Sequence, residues 1–262
     1  MSGNDVAGTV FAFAIAILTT PAGVSGAVLL LPVQVSILGV PSPAVTPTNL
    51  LYNVIATPGG VYRYWRMGAL RGGLARTLAL GTLPGVVIGA VIRVEYLAGP
   101  KAFLVVVALV LLPLGAWLAT RGGHRPEATD AGPRLSQVGV FVLALAVGVV
   151  GGIYGIGGGS ILAPILLALG FTVYDVAGAA LAATFLTSVA GVVTYQLLQQ
   201  RHGGTIAPDW TLGLAMGVGG LLGAYLGAHL QSRIPETLIR RGLGIIVLLV
   251  AVRYLSEGLG VG

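Results

Sequence analysis

The sequence predicts an all-α polytopic membrane protein made of two inverted repeats, and three observations support this prediction. Hydrophobic residues make up 56% of the 262 residues and charged residues only 8%, whereas an ordinary soluble domain carries roughly 25% charged residues. Several apolar runs reach the about 20 residues that a helix needs to cross a bilayer. A Gly-rich elbow occurs at a corresponding place in each half of the chain. No run shows the alternation of an outer-membrane strand, so helices in a lipid bilayer are favoured over a barrel.

The first repeat is predicted to cover residues 1–120, with five helices in the order short, short, long, long, long. Its short apolar runs, 6–20 and 24–39, are joined by the first elbow, which contains Gly23 and Gly26. Because both runs are short for a crossing, the pair is expected to be re-entrant, with two full crossings as the alternative. The first run lacks the basic start of a signal peptide and is expected to belong to the mature protein. The three long runs lie at 44–62, 74–93 and 101–120.

The second repeat is predicted to cover residues 138–262 and has the same order of helices. Its short runs, 138–154 and 157–170, flank the second elbow, Gly151–Ser160. The polar stretch 121–137 separates the two halves and is predicted to be a linker. The long runs of this half lie at 176–199, 210–230 and 236–256.

A shift of 132 residues brings the two elbows into register. It aligns four pairs of identical residues: Gly23 with Gly155, Gly26 with Gly158, Leu30 with Leu162 and Pro32 with Pro164. If the N-terminus is outside and each half crosses three times, ten Lys and Arg residues face inward and four face outward, namely Arg93, Lys101, Arg201 and Arg253. This bias is expected of cytoplasmic loops, but a parallel second half would give nine against five. The shortness of both short pairs is therefore the stronger reason to predict inversion.

The charges and the missing residue types exclude several classes of protein. A net charge of +6 would suggest nucleic-acid binding in a soluble protein, but here it is attributed to cytoplasmic loops, and no nucleic-acid partner is expected. The absence of cysteine excludes disulfides, Cys-ligated zinc and thiol catalysis. The three histidines show no metal-ligand spacing to a carboxylate, so neither a metal nor a cofactor is expected. The predicted spans lack a pair of groups for acid–base catalysis, which argues against an enzyme.

The Gly-rich second elbow is the strongest candidate for a substrate site. So many glycines disfavour a plain helix interior and indicate a helix break at membrane depth. Free N–H groups of the following half-helix would then form an anion site without a fixed charge. The alternative is close helix packing, which is preferred for Gly219–Gly227. The backbone site is predicted at Gly23, Ser25 and Gly26 in the first elbow and at Gly155, Gly157, Gly158, Gly159 and Ser160 in the second.

Neutral donors on the helix after each elbow are predicted to complete the site. Asn49 and Asn53 lie four residues apart and therefore on one helix face, where an amide exposed to lipid would be unfavourable. The corresponding helix of the second repeat offers Thr184, Thr187 and Ser188. For each hydroxyl the alternative is a hydrogen bond to a carbonyl one turn earlier. Almost no acid or base lies in the middle of a predicted span, and no obvious cation lies there, which favours an anionic substrate held by neutral groups over a carboxylate relay.

The second elbow resembles the signature of a known family. The segment Gly155-Ile156-Gly157-Gly158-Gly159-Ser160-Ile161-Leu162-Ala163-Pro164 is similar to that of the sulfite exporter TauE/SafE family. The first elbow is similar too, although it has Ser25 and Ala27 where the second has Gly157 and Gly159. The segments Thr46–Leu50 and Ala183–Ser188 also fit. The resemblance covers nearly the whole chain and implies a multi-pass anion transporter of the bacterial inner membrane.

Taken with this resemblance, the sequence predicts a secondary transporter, in the export direction, of small sulfur-containing anions such as sulfite, thiosulfate or an organosulfonate. Inverted repeats whose broken helices meet near the midplane are typical of secondary transporters. Two alternatives are kept. In a passive anion channel the same elbow would act as the filter, and a transporter could instead carry a non-sulfur organic anion. The sequence makes no prediction of oligomeric state.

Overall fold

A computed structural model describes residues 2–20, 25–66, 68, 70, 73–97, 99–121, 135–169, 171, 173–202, 204–230 and 236–260. These residues form eleven α-helices and no β-strand, which confirms the all-α prediction. The first six helices are α1 (Gly3–Thr19), α2 (Ala27–Ser36), α3 (Val45–Ala56), α4 (Pro58–Arg66), α5 (Gly73–Glu95) and α6 (Pro100–Arg121). The other five are α7 (Gln137–Tyr154), α8 (Gly159–Ala168), α9 (Val173–His202), α10 (Trp210–Leu230) and α11 (Glu236–Leu259).

Five of the described helices are long and apolar enough to cross a membrane. These candidate spans are Gly73–Glu95, Pro100–Trp117, Gln137–Tyr154, Val176–His202 and Trp210–Gly227. Their outer faces carry large apolar side chains; Leu109 on α6 is 60% exposed and Val193 on α9 is 53% exposed. Apolar faces of this kind are suited to lipid rather than water. The prediction of a multi-pass protein in a lipid bilayer is confirmed.

The helices that flank the two elbows differ in length. α8 and α2 have 10 residues each, which is too short to cross. α7 agrees with the predicted run 138–154 to within one residue, but with 18 residues it is long and apolar enough to cross, so the expectation that this run is too short for a crossing is wrong. The reason is that Gly151 and Gly152 stay helical, and the first left-handed glycine after them is Gly155. The whole apolar run before Gly155 therefore forms one helix.

The order of helices repeats along the chain. Adding 132 to the bounds of α2 gives the bounds of α8. In the same order along the chain, α10 and α11 correspond to α5 and α6, although their bounds lie 135–138 residues later. α9, a single helix of 30 residues, takes the place of both α3 and α4. The earlier helix breaks after Ala56 because Pro58 has no N–H for the helical ladder. The repeat boundaries 1–120 and 138–262 and the inversion stay predictions, and residues 122–134 of the predicted linker lie outside the described residues.

Glycines bring helices of the two halves into backbone contact. α1 packs against α10, α5 against α7, and α6 against α11. Three glycines of α10 lie so close to α1 that an added Cβ would collide with its carbonyl oxygens: Gly219 with Thr9, Gly223 with Phe13 and Gly227 with Ile17. The packing role predicted for Gly219–Gly227 is confirmed. Because each of these helix pairs joins a helix of one half to a helix of the other, the halves share one interior.

Candidate substrate site

Two glycines with left-handed backbone form the second elbow. α7 ends at Tyr154, and Gly155 follows with a φ of 84°, its N–H donating to the carbonyl of Gly151 at 2.8 Å. Gly157 has a φ of 70°, and α8 begins at Gly159. An L side chain disfavours this backbone region, so both turns require glycine. The elbow therefore breaks the helix in the buried interior, as the glycine pattern predicts.

The second elbow is packed against α9 and α5. A Cβ added at Gly157 would stand 2.7 Å from Cγ2 of Thr184 and 3.3 Å from Oγ of Ser188. A Cβ at Gly159 would collide with α9, and Gly158, between them, faces α5. The structure thus brings these three predicted glycines together with Thr184 and Ser188.

The hydroxyl groups near this elbow differ in their hydrogen bonds. Ser188 is fully buried, and its Oγ has no hydrogen-bond partner among the described residues. Thr187 instead donates to the carbonyl of Ala183 at 2.7 Å, and Ser160 donates to the carbonyl of Ile156 at 3.5 Å. Bonds to a carbonyl one turn earlier were the alternative to ligand contact, and they are what Thr187 and Ser160 make. Ser188 is therefore the hydroxyl with capacity for a ligand.

The first elbow is built on side chains of α3. The predicted Gly23 lies outside the described residues, which resume at Ser25. The Oγ of Ser25 accepts from the N–H of Ala27 at 3.2 Å and donates to Oδ1 of Asn53 at 3.2 Å. Asn53 is fully buried, and its Nδ2 has no hydrogen-bond partner within the described ranges. Gly26 packs so closely on α3 that an added Cβ would meet a tyrosine hydroxyl at 2.5 Å. An unused donor therefore lies beside the start of α2.

Asn49 makes a different set of contacts from Asn53. Its Nδ2 donates to the carbonyl of Ala27 at 2.9 Å, and its Oδ1 accepts from Nε2 of Gln34 at 3.1 Å. Both polar atoms of Asn49 thus tie α3 to α2. Of the two asparagines on this helix face, Asn53 is the one whose amide nitrogen is unused.

Arg93, counted above among the outward-facing charges, is fully buried near the end of α5. Its guanidinium donates to Oγ1 of Thr46 at 3.4 Å, to Oγ of Ser42 and to the carbonyl of Leu97. Its Cζ lies 3.8 Å from the centre of the Phe103 ring. The expectation concerned cations at mid-membrane; Arg93, two residues before the end of α5, is a buried cation that it did not anticipate. The sequence did contain a signal for this buried charge, because Arg93 lies within the apolar end of the predicted run 74–93.

Thr46 connects Arg93 to the second elbow. Its Oγ1, which accepts from Arg93, donates to the carbonyl of Ile153 at 3.1 Å. Its backbone lies against Gly155, where an added Cβ would stand 2.5 Å from the Thr46 carbonyl oxygen. The guanidinium is thus one side chain away from the elbow. The ion pairs seen among the described residues lie elsewhere and join His202 to Glu95 and Arg253 to Glu257, each at 2.7 Å.

Comparison with known sequences identifies the family. The family profile described as Sulfite exporter TauE/SafE matches residues 9–254. The chain belongs to the sulfite exporter TauE/SafE family. The resemblance seen at the two elbows is confirmed by this match over nearly the whole chain.

Relatives of this TauE/SafE protein are described as transporters. A probable membrane transporter protein of Xylella fastidiosa (strain Temecula1 / ATCC 700964) is 26% identical over 241 residues, which cover 88% of this chain and 87% of the relative. The probable membrane transporter protein YunE of Bacillus subtilis is 27% identical over 195 residues, 69% of this chain and 68% of its own. The Sulfite exporter TauE/SafE family protein 1 of Arabidopsis thaliana is 29% identical over 133 residues, 50% of this chain and 29% of its own. No solved structure matches the chain. The chain is therefore a TauE/SafE-family membrane transporter.

Proposed function

We propose that this transporter exports a small sulfur-containing anion, such as sulfite, thiosulfate or an organosulfonate, across the bacterial inner membrane. Five buried side-chain polar atoms have no hydrogen-bond partner among the described residues, and the observation that carries the proposal is that two of them lie at the elbows. Oγ of Ser188 lies beside the second elbow, and Nδ2 of Asn53 lies beside the first. Buried polar groups normally have hydrogen-bond partners, and we attribute these two to the substrate.

The groups that meet at the elbows favour an anion over a cation. The Nδ2 of an asparagine amide is only a donor. The N–H groups in the first turn of a helix have no acceptor within the helix, and the positive end of the helix dipole lies with them at the start of α8. At the start of α2 the N–H groups of Ala27 and Val28 already donate to Ser25, so the first elbow offers the amide of Asn53 rather than free backbone. Gly157–Gly159 carry no side chain of their own, so a ligand could reach their backbone once α9 and α5 move away from it. The oxygen atoms of an oxyanion would accept hydrogen bonds from all of these donors. We therefore assign the site to binding and transport of such an anion, without a chemical reaction.

The closed conformation of the elbows supports a transporter rather than an open pore. Residues 155–159 are all buried. A cavity of about 450 Å³ lies elsewhere, between the start of α1, the loop after α2 and the start of α10. A second, apolar cavity of about 310 Å³ lies between α4 and α9. Substrate therefore reaches the elbows only when helices move, as in the alternating access of transporters with broken helices.

Thermal stabilisation of the detergent-purified protein tests the substrate class. A ligand that binds only the folded state raises its stability by mass action. We expect sulfite, thiosulfate or methanesulfonate, each as its sodium salt, to raise the Tm with concentration, and chloride salts of other cations to leave it unchanged. Stabilisation by carboxylates alone would indicate that the substrate is a non-sulfur organic anion instead. A Tm that responds to none of these anions would overturn the proposal.

Flux measurements in liposomes distinguish a transporter from a channel. We expect uptake of the stabilising anion to saturate with its concentration and to depend steeply on temperature, because each cycle requires helix movement. Ohmic single-channel currents carried by the same anion would identify a passive anion channel instead. Flux from oriented vesicles, loaded on either side, then gives the preferred direction.

A further inference from the structure

Arg93 is a buried charge that the proposed site does not yet use, and its surroundings are unusual for a cation. Among the described residues its acceptors are two hydroxyl groups and one backbone carbonyl, all neutral. The ring of Phe103 covers the guanidinium at 3.8 Å, which partly offsets the loss of water. An ion buried without a counter-charge is strongly disfavoured, and neutral hydrogen bonds compensate only part of that loss. A buried arginine in such surroundings indicates that its charge has a use.

We propose that Arg93 is the charge-selecting residue of the second elbow and that the transported anion is its counter-ion. This inference rests on the proposed function and deepens it. Thr46 lies between the two, since its Oγ1 is 3.4 Å from the guanidinium and 3.1 Å from the carbonyl of Ile153. An anion at the elbow would meet the field of a charge held one side chain away. In a water-excluded interior that field is only weakly screened.

A purely structural arginine would need its hydrogen bonds but not its charge. The bond to Leu97 closes the end of α5 on the residues that follow it, and the bond to Ser42 ties that end to the loop before α3; a neutral donor could make both. The two roles therefore predict different ligand preferences. A charge-selecting Arg93 makes the protein prefer a charged ligand over a neutral one of the same shape. A structural Arg93 affects both ligands alike.

A carboxylate placed beside Arg93 tests the proposal while the arginine stays in position. Oγ of Ser42 contacts the guanidinium, so Ser42→Asp supplies a permanent counter-charge, and Ser42→Asn is a neutral variant of the same size. The probes are thiosulfate, methanesulfonate and neutral dimethyl sulfone, with equilibrium binding measured on the full-length purified protein. We expect Ser42→Asp to bind both anions at least about tenfold more weakly than Ser42→Asn does, with binding of dimethyl sulfone equal in the two.

Substitution of Arg93 itself gives a second measurement. We expect Arg93→Lys to keep the preference for methanesulfonate over dimethyl sulfone and Arg93→Gln to lose at least about tenfold of it. Arg253→Gln is the control, because Arg253 is exposed and paired with Glu257; its anion affinity should equal that of wild type. Should Arg93→Gln fail to fold, the two Ser42 variants still decide.

The outcomes separate this inference from the proposed function. Wild type that binds none of sulfite, thiosulfate and methanesulfonate would overturn both. If wild type binds these anions, and Ser42→Asp and Ser42→Asn bind them with equal affinity, the proposed function stands. The role of Arg93 would then be overturned. If Ser42→Asp bound dimethyl sulfone as much more weakly as it bound the anions, the substitution would have changed the shape of the site rather than its charge. That result would also overturn the role of Arg93.

Discussion

The hydroxyl of Tyr154 donates a hydrogen bond of 2.8 Å to the carbonyl oxygen of Val28, and this bond joins the two elbows. Tyr154 is the last residue of α7, and Val28 lies in the first turn of α2. In a regular helix the Val28 carbonyl would accept from residue 32, but Pro32 has no N–H. The tyrosine hydroxyl replaces that missing donor. The residue that ends α7 at the second elbow thus satisfies the carbonyl that Pro32 leaves without a donor in α2, next to the first elbow.

Tyr154→Phe should destabilise the fold. The change leaves the Val28 carbonyl buried without its donor, which lowers the free energy of unfolding by about 1–3 kcal/mol. Thermal unfolding in detergent measures the effect as a lower Tm. Tyr96→Phe is the control, because Tyr96 is 79% exposed and should keep the wild-type Tm. Equal Tm values for both variants would show that the bond across the elbows does not contribute to stability.

The two asparagines of α3 should give opposite results when each is changed to alanine. Asn49→Ala removes two hydrogen bonds to α2, so we expect it to lower the free energy of unfolding by about 1–3 kcal/mol. Asn53→Ala removes the unused donor together with one hydrogen bond from Ser25, so we expect it to weaken anion binding and to destabilise the fold less than Asn49→Ala does. Tm and equilibrium binding of thiosulfate, measured on both variants, test the contrast. Weaker binding in Asn49→Ala than in Asn53→Ala would reverse the assignment of the two side chains.

Ser188→Ala should weaken anion binding without lowering stability. Its Oγ makes no hydrogen bond to the described residues, so its loss breaks none in the ligand-free protein. If the hydroxyl donates to the substrate, affinity should fall by about 1–3 kcal/mol. Thr194→Val is the control on the same helix, since Thr194 donates to the carbonyl of Ala190 at 2.7 Å. Isothermal titration with thiosulfate makes the comparison, and wild-type affinity in Ser188→Ala would exclude this hydroxyl from the site.

Gly158→Val should abolish transport while the protein still inserts into the membrane. A Cβ at Gly158 would stand 2.9 Å from Cγ2 of Thr82 and would also occupy the space where a ligand approaches the elbow. The double variant Gly158→Ala with Thr82→Ser separates these effects, because serine lacks Cγ2 but keeps the hydroxyl. If the elbow binds substrate, liposome flux should stay low in the double variant. Restored flux would mean that Gly158 serves packing alone. Gly99→Val is the control, since nothing lies within 4 Å of an added Cβ there.

The fold class and the elbows could be predicted from sequence because they depend on local composition. A nearly uncharged chain of apolar runs belongs in a bilayer, and glycine is required where the backbone is left-handed, as at Gly155 and Gly157. The run that forms α7 could be predicted to within one residue, but the point at which the elbow Gly151–Ser160 breaks the helix could not, because Gly151 and Gly152 are equally compatible with a helix packed closely on its neighbour. Composition does not say which glycine of a run breaks the helix.

The contacts of the site depend on residues that are distant in sequence, and these could not be predicted. Arg93 reaches the second elbow through Thr46, and both lie far from Ile153 along the chain. Whether a hydroxyl is used is decided by one rotamer, so Thr187 and Ser188 look alike in sequence but differ in the structure. Residue types therefore indicate the candidates, and packing selects among them.

Inversion of the two repeats predicts that equivalent helix starts lie on opposite sides of the membrane. Gly3 and Gln137 are the first residues of α1 and α7, and both are exposed. Since the chain contains no cysteine, Gly3→Cys and Gln137→Cys each introduce a single labelling site. An impermeant maleimide added to intact cells should label position 3, because the charge bias places the N-terminus outside, and should label position 137 only after the membrane is opened. Glu236→Cys should behave like Gln137→Cys, because both positions belong to loops predicted to be cytoplasmic. Labelling of positions 3 and 137 from the same side would establish parallel repeats, and the elbows would then face the same side instead of meeting from opposite ones.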